Sequence, residues 1–194
     1  MKLSKIQKEI KKQEDNKRYE HSLGVSYTAA SLAMRYGCDV EKARIAGLLH
    51  DCAKNYSAEK SLKLCKKYNI KVTQVEKDNP FLLHGKVGAL LSQLTFEVDD
   101  EDILNSITNH TTGRPNMSLL EKIIFVSDYI EPNRSSAPSL GEVRALAFEN
   151  IDECLLRILS DTLNYLNNKK AVIDPTTQET YDYYLKELKD ARKE

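Results

Sequence analysis

An all-α fold is the class this sequence predicts, and three observations carry it. Apolar residues recur at helical i, i+3, i+4 spacing through most of the 194 residues. Helix-capping residues stand ahead of those runs, and no stretch of strand length alternates apolar with polar residues. Only seven glycines and five prolines interrupt the pattern. The length suits one domain with a proper core, so residues 1–194 are read as a single helical bundle.

The elements follow in order. A short basic helix near Ile6 to Gln13 leads into a longer one, about Lys17 to Tyr36, ended by Gly37. Asp39 caps the next, which carries Ala43, Ala46, Leu49 and the pair His50-Asp51. Ser57 begins "SAEKSLKLCKKY". The stretch "DNPFLLHGKVGALLSQL" then reads as one helix, with a cap residue ahead of Pro80 in its first turn. Asp99 or Asp100 starts "EDILNSITNHTTG", and the loop "TTGRPNM" separates it from "SLLEKIIFVSDYIE", where Ser118 and Glu121 have capping-box spacing and the helix stops before Pro132. Ser139 with Glu142 repeats that spacing after the loop "PNRSSAP", heading a long helix to about Asn167. Asp174 and Pro175 start the last helix. No internal repeat or low-complexity segment is present.

Composition excludes several function classes. Lys plus Arg and Asp plus Glu both number 29, so no broad basic field exists to gather nucleic acid or an anionic membrane. The charged N-terminus "MKLSKIQKEIKKQED" lacks the apolar region of a signal peptide, and no apolar run approaches the ~20 residues a bilayer requires. A soluble, cytoplasmic protein is the expectation. Cys38, Cys52, Cys65 and Cys154 form no C-x-x-C pair, which leaves them as reduced thiols on packing faces, Cys52 included.

The four histidines are another matter. His21 shares a helical face with Val25 and Ala29, His50 follows Ala43 and Ala46, His110 follows Ile103 and Ile107, and His84 sits between Leu83 and the close-approach glycines Gly85 and Gly88. Asp51 and Asp128 also lie on apolar stretches, where an ionised carboxylate needs compensation. Buried ion pairs to Lys54 and Lys122 are one answer, but it must be invoked twice. A metal centre accounts for all six residues at once, because imidazoles and carboxylates are what divalent or trivalent cations bind.

The ordered set His21, His50-Asp51, His84, His110, Asp128, inside "RYEHSLGVSYTAASLA", "AGLLHDCAKNY", "LLHGKVGA" and "NHTTGRPNMSLLEKIIFVSDYIEPNR", resembles the HD-domain metal-dependent phosphohydrolases and, among them, the bacterial YqeK-like branch. That resemblance implies symmetrical hydrolysis of diadenosine tetraphosphate (Ap4A) to two ADP by a two-iron centre in an all-helical fold. His21, His50, Asp51 and Asp128 would bind one metal; His84, His110 and a shared Asp51 would bind the other. The metal-site core then spans about residues 17–134, and the C-terminal helices, 139–194, are expected to complete the core and to offer a homodimer surface. The ligand types contain no thiolate and suit Fe, Mn or another intermediate cation without choosing among them.

Two metals would supply a nucleophile at neutral pH and withdraw phosphoryl charge, and cationic side chains must receive the phosphates. Lys54, three residues beyond Asp51, and Arg134 in "EPNR" are the candidates, with catalytic as well as substrate-binding roles alongside Asp51. Thr111, Thr112 and Gly113 can present hydroxyls and backbone N–H groups beside His110; Arg114 is either a helper or a solvated residue. Tyr181, Tyr184 and Leu185 have helical core spacing, which outweighs a base-stacking role. The expected partner is a dinucleoside polyphosphate or other nucleotide, not nucleic acid. Rival readings are another HD phosphohydrolase acting on nucleoside mono- or triphosphates or cyclic dinucleotides, a nucleotide-binding regulator without turnover, and a role in NAD synthesis. The H-x-G-H motif of the adenylyltransferases in that last pathway is absent.

Overall fold

A computed structural model describes residues 2–137, 139–191 and 193. Among them are eleven α-helices, one 3-10 turn and no strand, as the apolar periodicity predicts. The helices are α1 (Leu3–Gln13), α2 (Asn16–Tyr36), α3 (Val40–Leu49), α4 (Ala58–Lys67), α5 (Gln74–Asp78), α6 (His84–Phe96), α7 (Glu101–Asn109), α8 (Leu119–Ile130), α9 (Leu140–Glu149), α10 (Ile151–Asn168) and α11 (Pro175–Ala191).

Local chemistry sets most boundaries. Asp15, Asp39, Ser57 and Asp100 each accept backbone N–H bonds at the start of α2, α3, α4 and α7, satisfying donors that a helix start leaves orphaned, each cap contributing about 1 kcal/mol. Ser118 and Glu121 close the expected capping box on α8. Gly37 ends α2 at φ +73°, a left-handed conformation that costs a glycine little.

Four expectations are corrected. His50 and Asp51 lie just beyond α3, because the chain tightens there into i→i−3 turns, with Cys52 N–H donating to Leu49 and Lys54 N–H to Asp51. His110 likewise follows the last residue of α7. A short α5, headed by a Thr73–Glu76 capping box that the sequence reading passed over, precedes a 3-10 turn at Pro80–Leu83, so the expected helix from Pro80 begins as that turn and becomes α6 only at His84. Ser139 makes no side-chain cap, and the long helix after it is divided at Asn150, whose extended backbone and side-chain bonds to Asp152 and Glu153 N–H start α10 afresh.

The main core joins α1, α2, α3, α7, α8 and α10 through Ile6, Leu32, Leu48, Ile107, Ile124 and Leu155, all essentially shielded from solvent. A smaller cluster of Ala53, Cys65, Leu83 and Val87 ties α4 and the 3-10 turn to α6. Helices α2 and α3 meet closely because Gly47 lies flat on α2; a Cβ there would stand 2.7 Å from Ser26 Cα. That contact brings the end of α3 under the middle of α2, where the functional residues gather. No helix among the described residues is long and apolar enough to cross a membrane.

Candidate metal centre

Three histidines sit where elements begin or end, and that placement aims them. His50 Nδ1 bonds Gly47 O at 2.8 Å, His110 Nδ1 bonds Ile107 O at 2.7 Å, and His84 Nδ1 bonds Phe81 O at 2.6 Å. A carbonyl only accepts, so each Nδ1 carries the proton and each Nε2 presents its lone pair. Gly47 O and Ile107 O lie in the last turns of α3 and α7, whose carbonyls lack helical partners, and the negative ends of those helices converge on the same point, which favours a cation there. His21, from within α2, turns its Nδ1 to Glu131 Oε1 at 3.2 Å. Gly24 makes room for that carboxylate, since a Cβ at residue 24 would collide with Glu131 Oε2.

Asp51 divides its two oxygens between two groups. Its Oδ1 stands 3.3 Å from His84 Nε2 and 3.4 Å from His110 Nε2, and those two nitrogens are 3.0 Å apart. Its Oδ2 stands 3.7 Å from His50 Nε2 and 3.9 Å from His21 Nε2, themselves 3.2 Å apart. Asp128 Oδ1 joins the second group, 3.1 Å from His21 Nε2 and 3.8 Å from His50 Nε2. Ligand atoms within each of the triads His21/His50/Asp51 and Asp51/His84/His110 lie within 4.8 Å of one another; His50, His110 and Asp128 form a third such triad, so His50 stands between the groups. The donor chemistry fits cations. Imidazole lone pairs face one another, and Asp51 Oδ1 is buried without a hydrogen-bond partner, an arrangement that costs free energy unless positive charge is supplied.

The electrostatics agree. Burial pushes the His50 pKa down to about 4 against the pull of Asp51 and Asp128, and burial likewise lowers that of His84, so both favour the neutral, ligating form. Burial also opposes ionisation of Asp51, but the surrounding imidazoles outweigh it and keep the carboxyl well below the usual range; Asp128 is lowered in the same way by His21 and His50. His21 runs the other way. Burial disfavours its charge, yet the carboxylates of Asp128 and Glu131 raise its pKa.

All six expected ligands therefore meet. Around them opens a cleft of about 450 Å³ lined by His21, Asp51 and Asp128 together with the cations Lys17, Arg18, Lys54 and Arg134. Lys54 Nζ lies 3.0 Å from His84 Nε2 and 3.5 Å from Asp51 Oδ1. Arg134 donates to Asp128 O at 2.9 Å and to Asp128 Oδ1 at 3.1 Å. Thr111 Oγ1 approaches His84 and His110 Nε2 at 3.2 and 3.1 Å. Thr112 and Gly113 do not join them: Thr112 faces α11 through the Thr180 hydroxyl, and Gly113 spends its N–H on Asn109 O. Arg114 forms a two-point ion pair with buried Glu121, and Lys122 pairs with Asp152 at 2.6 Å rather than with either metal-site carboxylate. Tyr184 is core, its hydroxyl accepting from Met117 N–H, and Cys52 packs against Gly88.

Sequence reasoning missed Arg18, whose Nη1 lies 2.5 Å from Asp51 Oδ2, and Glu131 behind His21. Both carried a signal: Arg18 precedes His21 by three residues and Glu131 follows Asp128 by three, the spacing that puts helical neighbours on one face.

Comparison with known proteins adds a second line. The HD domain family matches residues 18–133. The chain is 41% identical over 174 residues to a Bacillus subtilis (strain 168) protein named bis(5'-nucleosyl)-tetraphosphatase, symmetrical, with 90% of this chain and 92% of that one covered. A Staphylococcus aureus (strain NCTC 8325 / PS 47) protein of the same name is 33% identical over 186 residues, covering 95% of each. A crystal structure from Clostridium acetobutylicum, described as a predicted HD superfamily hydrolase involved in NAD metabolism, superposes with a TM-score of 0.93 at 42% identity, over 96% of this chain and 98% of that one.

Proposed function

The chain belongs to the HD-domain family, and on that premise we propose that it hydrolyses Ap4A symmetrically to two ADP. The observation that carries the reading is the Asp51 carboxylate, shared between two imidazole groups on the wall of a cleft rich in Lys and Arg. The proposal assigns His21, His50, Asp51 and Asp128 to one cation and His84, His110 and Asp51 to a second. Iron is the metal proposed, with manganese or another divalent ion acceptable to the same donors.

Bound cations would supply Lewis acidity toward phosphoryl oxygens and hydroxide at neutral pH. The chain's own residues do the rest. Nδ1–H bonds to Gly47 O, Phe81 O and Ile107 O hold His50, His84 and His110 in the ligating tautomer, while His21, whose charged form Asp128 and Glu131 favour, must release its Nε2 proton to ligate. Arg18 and Lys54 approach Asp51 from its two different oxygens, so a polyphosphate laid across that residue meets a cation on either side of the bond to be broken. Arg134 extends the charge along the cleft, where its planar fork suits phosphate oxygens, and Thr111 offers a hydroxyl beside His84 and His110. Breaking the central P–O–P bridge consumes one water and leaves a terminal phosphate on each nucleotide. A homodimer belongs to the same reading, supported by the apolar groove that Leu156, Tyr181 and Leu188 line between α10 and α11.

Incubation of iron-loaded protein with Ap4A, followed by chromatography, tests the reaction. ADP as sole product is expected. AMP with ATP, or unchanged substrate, would overturn it.

A further inference from the structure

The turn after α8 carries Glu131 and Arg134 to the cleft, and its backbone is short of donors. Pro132 has no N–H, so Asp128 O loses the partner that a continuing helix would give it, and the Arg134 guanidinium takes that place at 2.9 Å. Asn133 N–H turns to Glu131 Oε2 at 2.7 Å and Arg134 N–H to Glu131 O at 3.1 Å, which leaves Ile130 O without a helical donor. Arg144, on α9, supplies what is missing. Its Nε donates to Ile130 O at 2.9 Å, and its Nη2 reaches Glu131 O at 2.8 Å, Arg134 O at 3.1 Å and Pro132 O at 3.4 Å. One guanidinium thus gathers the carbonyls of the turn at the C-terminal end of α8, where positive charge is favoured. Arg144 itself lies outside the lining of the cleft.

We propose that Arg144 is a positioning residue: by gathering the carbonyls on either side of Pro132 it holds Glu131 against His21 and Arg134 against Asp128, and so sets the phosphate-receiving rim of the cleft. The inference rests on the Ap4A reading above, in which Arg134 meets a phosphate. Both side chains depend on this backbone. Glu131 stands 3.2 Å from His21 Nδ1 through one oxygen and accepts the turn's own N–H with the other, so a shift of the turn carries the carboxylate with it. Arg134 doubles back on Asp128, six residues earlier, which requires the turn to stay closed. The planar fork matters, because Nε and Nη2 address different carbonyls at once and the single nitrogen of a lysine does not.

Arg144→Met keeps an unbranched stem and removes every donor. In the metal-free variant, amide hydrogen exchange at Asn133 and Arg134 should speed up by about tenfold or more, while exchange in α10 stays as in the wild type. With saturating iron, KM for Ap4A should rise about tenfold and kcat should change by less than about threefold, because Arg134 is mis-aimed but the ions are present. Pyrophosphate affinity, measured without turnover, should fall by the same factor as KM rises. Arg144→Lys should lie between the variant and the wild type in each measurement, and it carries the comparison if Arg144→Met does not fold. Unchanged exchange at the two amides, or a fall in kcat with KM unmoved, as a merely structural loss of folded enzyme would give, overturns the proposal. A protein that fails to cleave Ap4A yet shows faster exchange and weaker pyrophosphate binding in the variant disproves the reaction and keeps the positioning role, so the two failures are distinguishable.

Discussion

The two sides of Asp51 use similar ligands in opposite settings. On the inner side, His84 and His110 are almost wholly shielded, and both are oriented by backbone carbonyls that cannot leave without unwinding a helix end or the 3-10 turn. On the outer side, His21 and Asp128 retain 15% and 25% side-chain exposure and are oriented by other side chains, Glu131 and Arg134, at the edge of the cleft. His50, fully buried and oriented by Gly47 O, anchors the outer group from beneath, so one group lies wholly inside the fold and the other runs from the core to the surface. The inner position should hold its ion firmly, and the outer one should exchange its ion and meet substrate.

Asp51 is the element common to both, so Asp51→Ala should have the largest effect: loss of both ions by elemental analysis and of turnover to background. A variant that keeps either ion and full activity removes the shared-carboxylate arrangement. Graded chelation separates the sides next. Two-step release, the outer ion first, is expected, and release of both in one step erases the distinction drawn above.

Lys54→Ala should retain both ions and lose about 10²-fold in rate, the scale for removing one charge-stabilising donor from a reacting centre. Metal analysis beside kinetics checks this, and parallel loss of metal and rate would make Lys54 a support for the ligands. Glu131→Gln leaves an acceptor for His21 Nδ1 but removes its charge, so the outer ion alone should weaken, by about tenfold. Equal weakening at the inner position would show that the two sides are not independent.

The same contrast explains what the sequence made legible. The cluster could be read because metal chemistry restricts residue type, and an imidazole or carboxylate on an apolar stretch is conspicuous. The caps Asp39, Ser57 and Ser118 were equally plain, since a capping bond is made within three residues. What stayed hidden depends on contacts distant in sequence. Arg18 meets Asp51 across 33 residues and Glu131 meets His21 across 110, and the three-residue spacing to His21 and to Asp128 marks a shared face without naming the partner. Thr112 and Gly113 show the converse error: proximity to His110 in sequence suggested a phosphate loop, but the turn after α7 carries them toward Thr180 on α11. The break at Asn150 was misread because the apolar period runs on through it while the asparagine side chain takes the backbone donors of a new helix.

The smallest expected effect concerns a residue on neither metal side. Glu14 is largely buried, and burial together with the charge of Asp51 raises its pKa from 4.5 to about 7. A carboxyl that holds its proton more tightly when folded stabilises the fold below its unfolded pKa, and that contribution is lost as pH rises from 4.5 toward 7. Glu14→Gln, which cannot ionise, should match the wild type near pH 4 and exceed it by about 1 to 2 kcal/mol above pH 8, after allowance for the solvent that screens the partly exposed group. Urea denaturation of the metal-free protein at the two pH values measures the difference. Cations at the centre would neutralise the field of Asp51, so loading the protein with metal should shrink the gain, and an equal gain in both forms would show that burial alone sets this carboxyl.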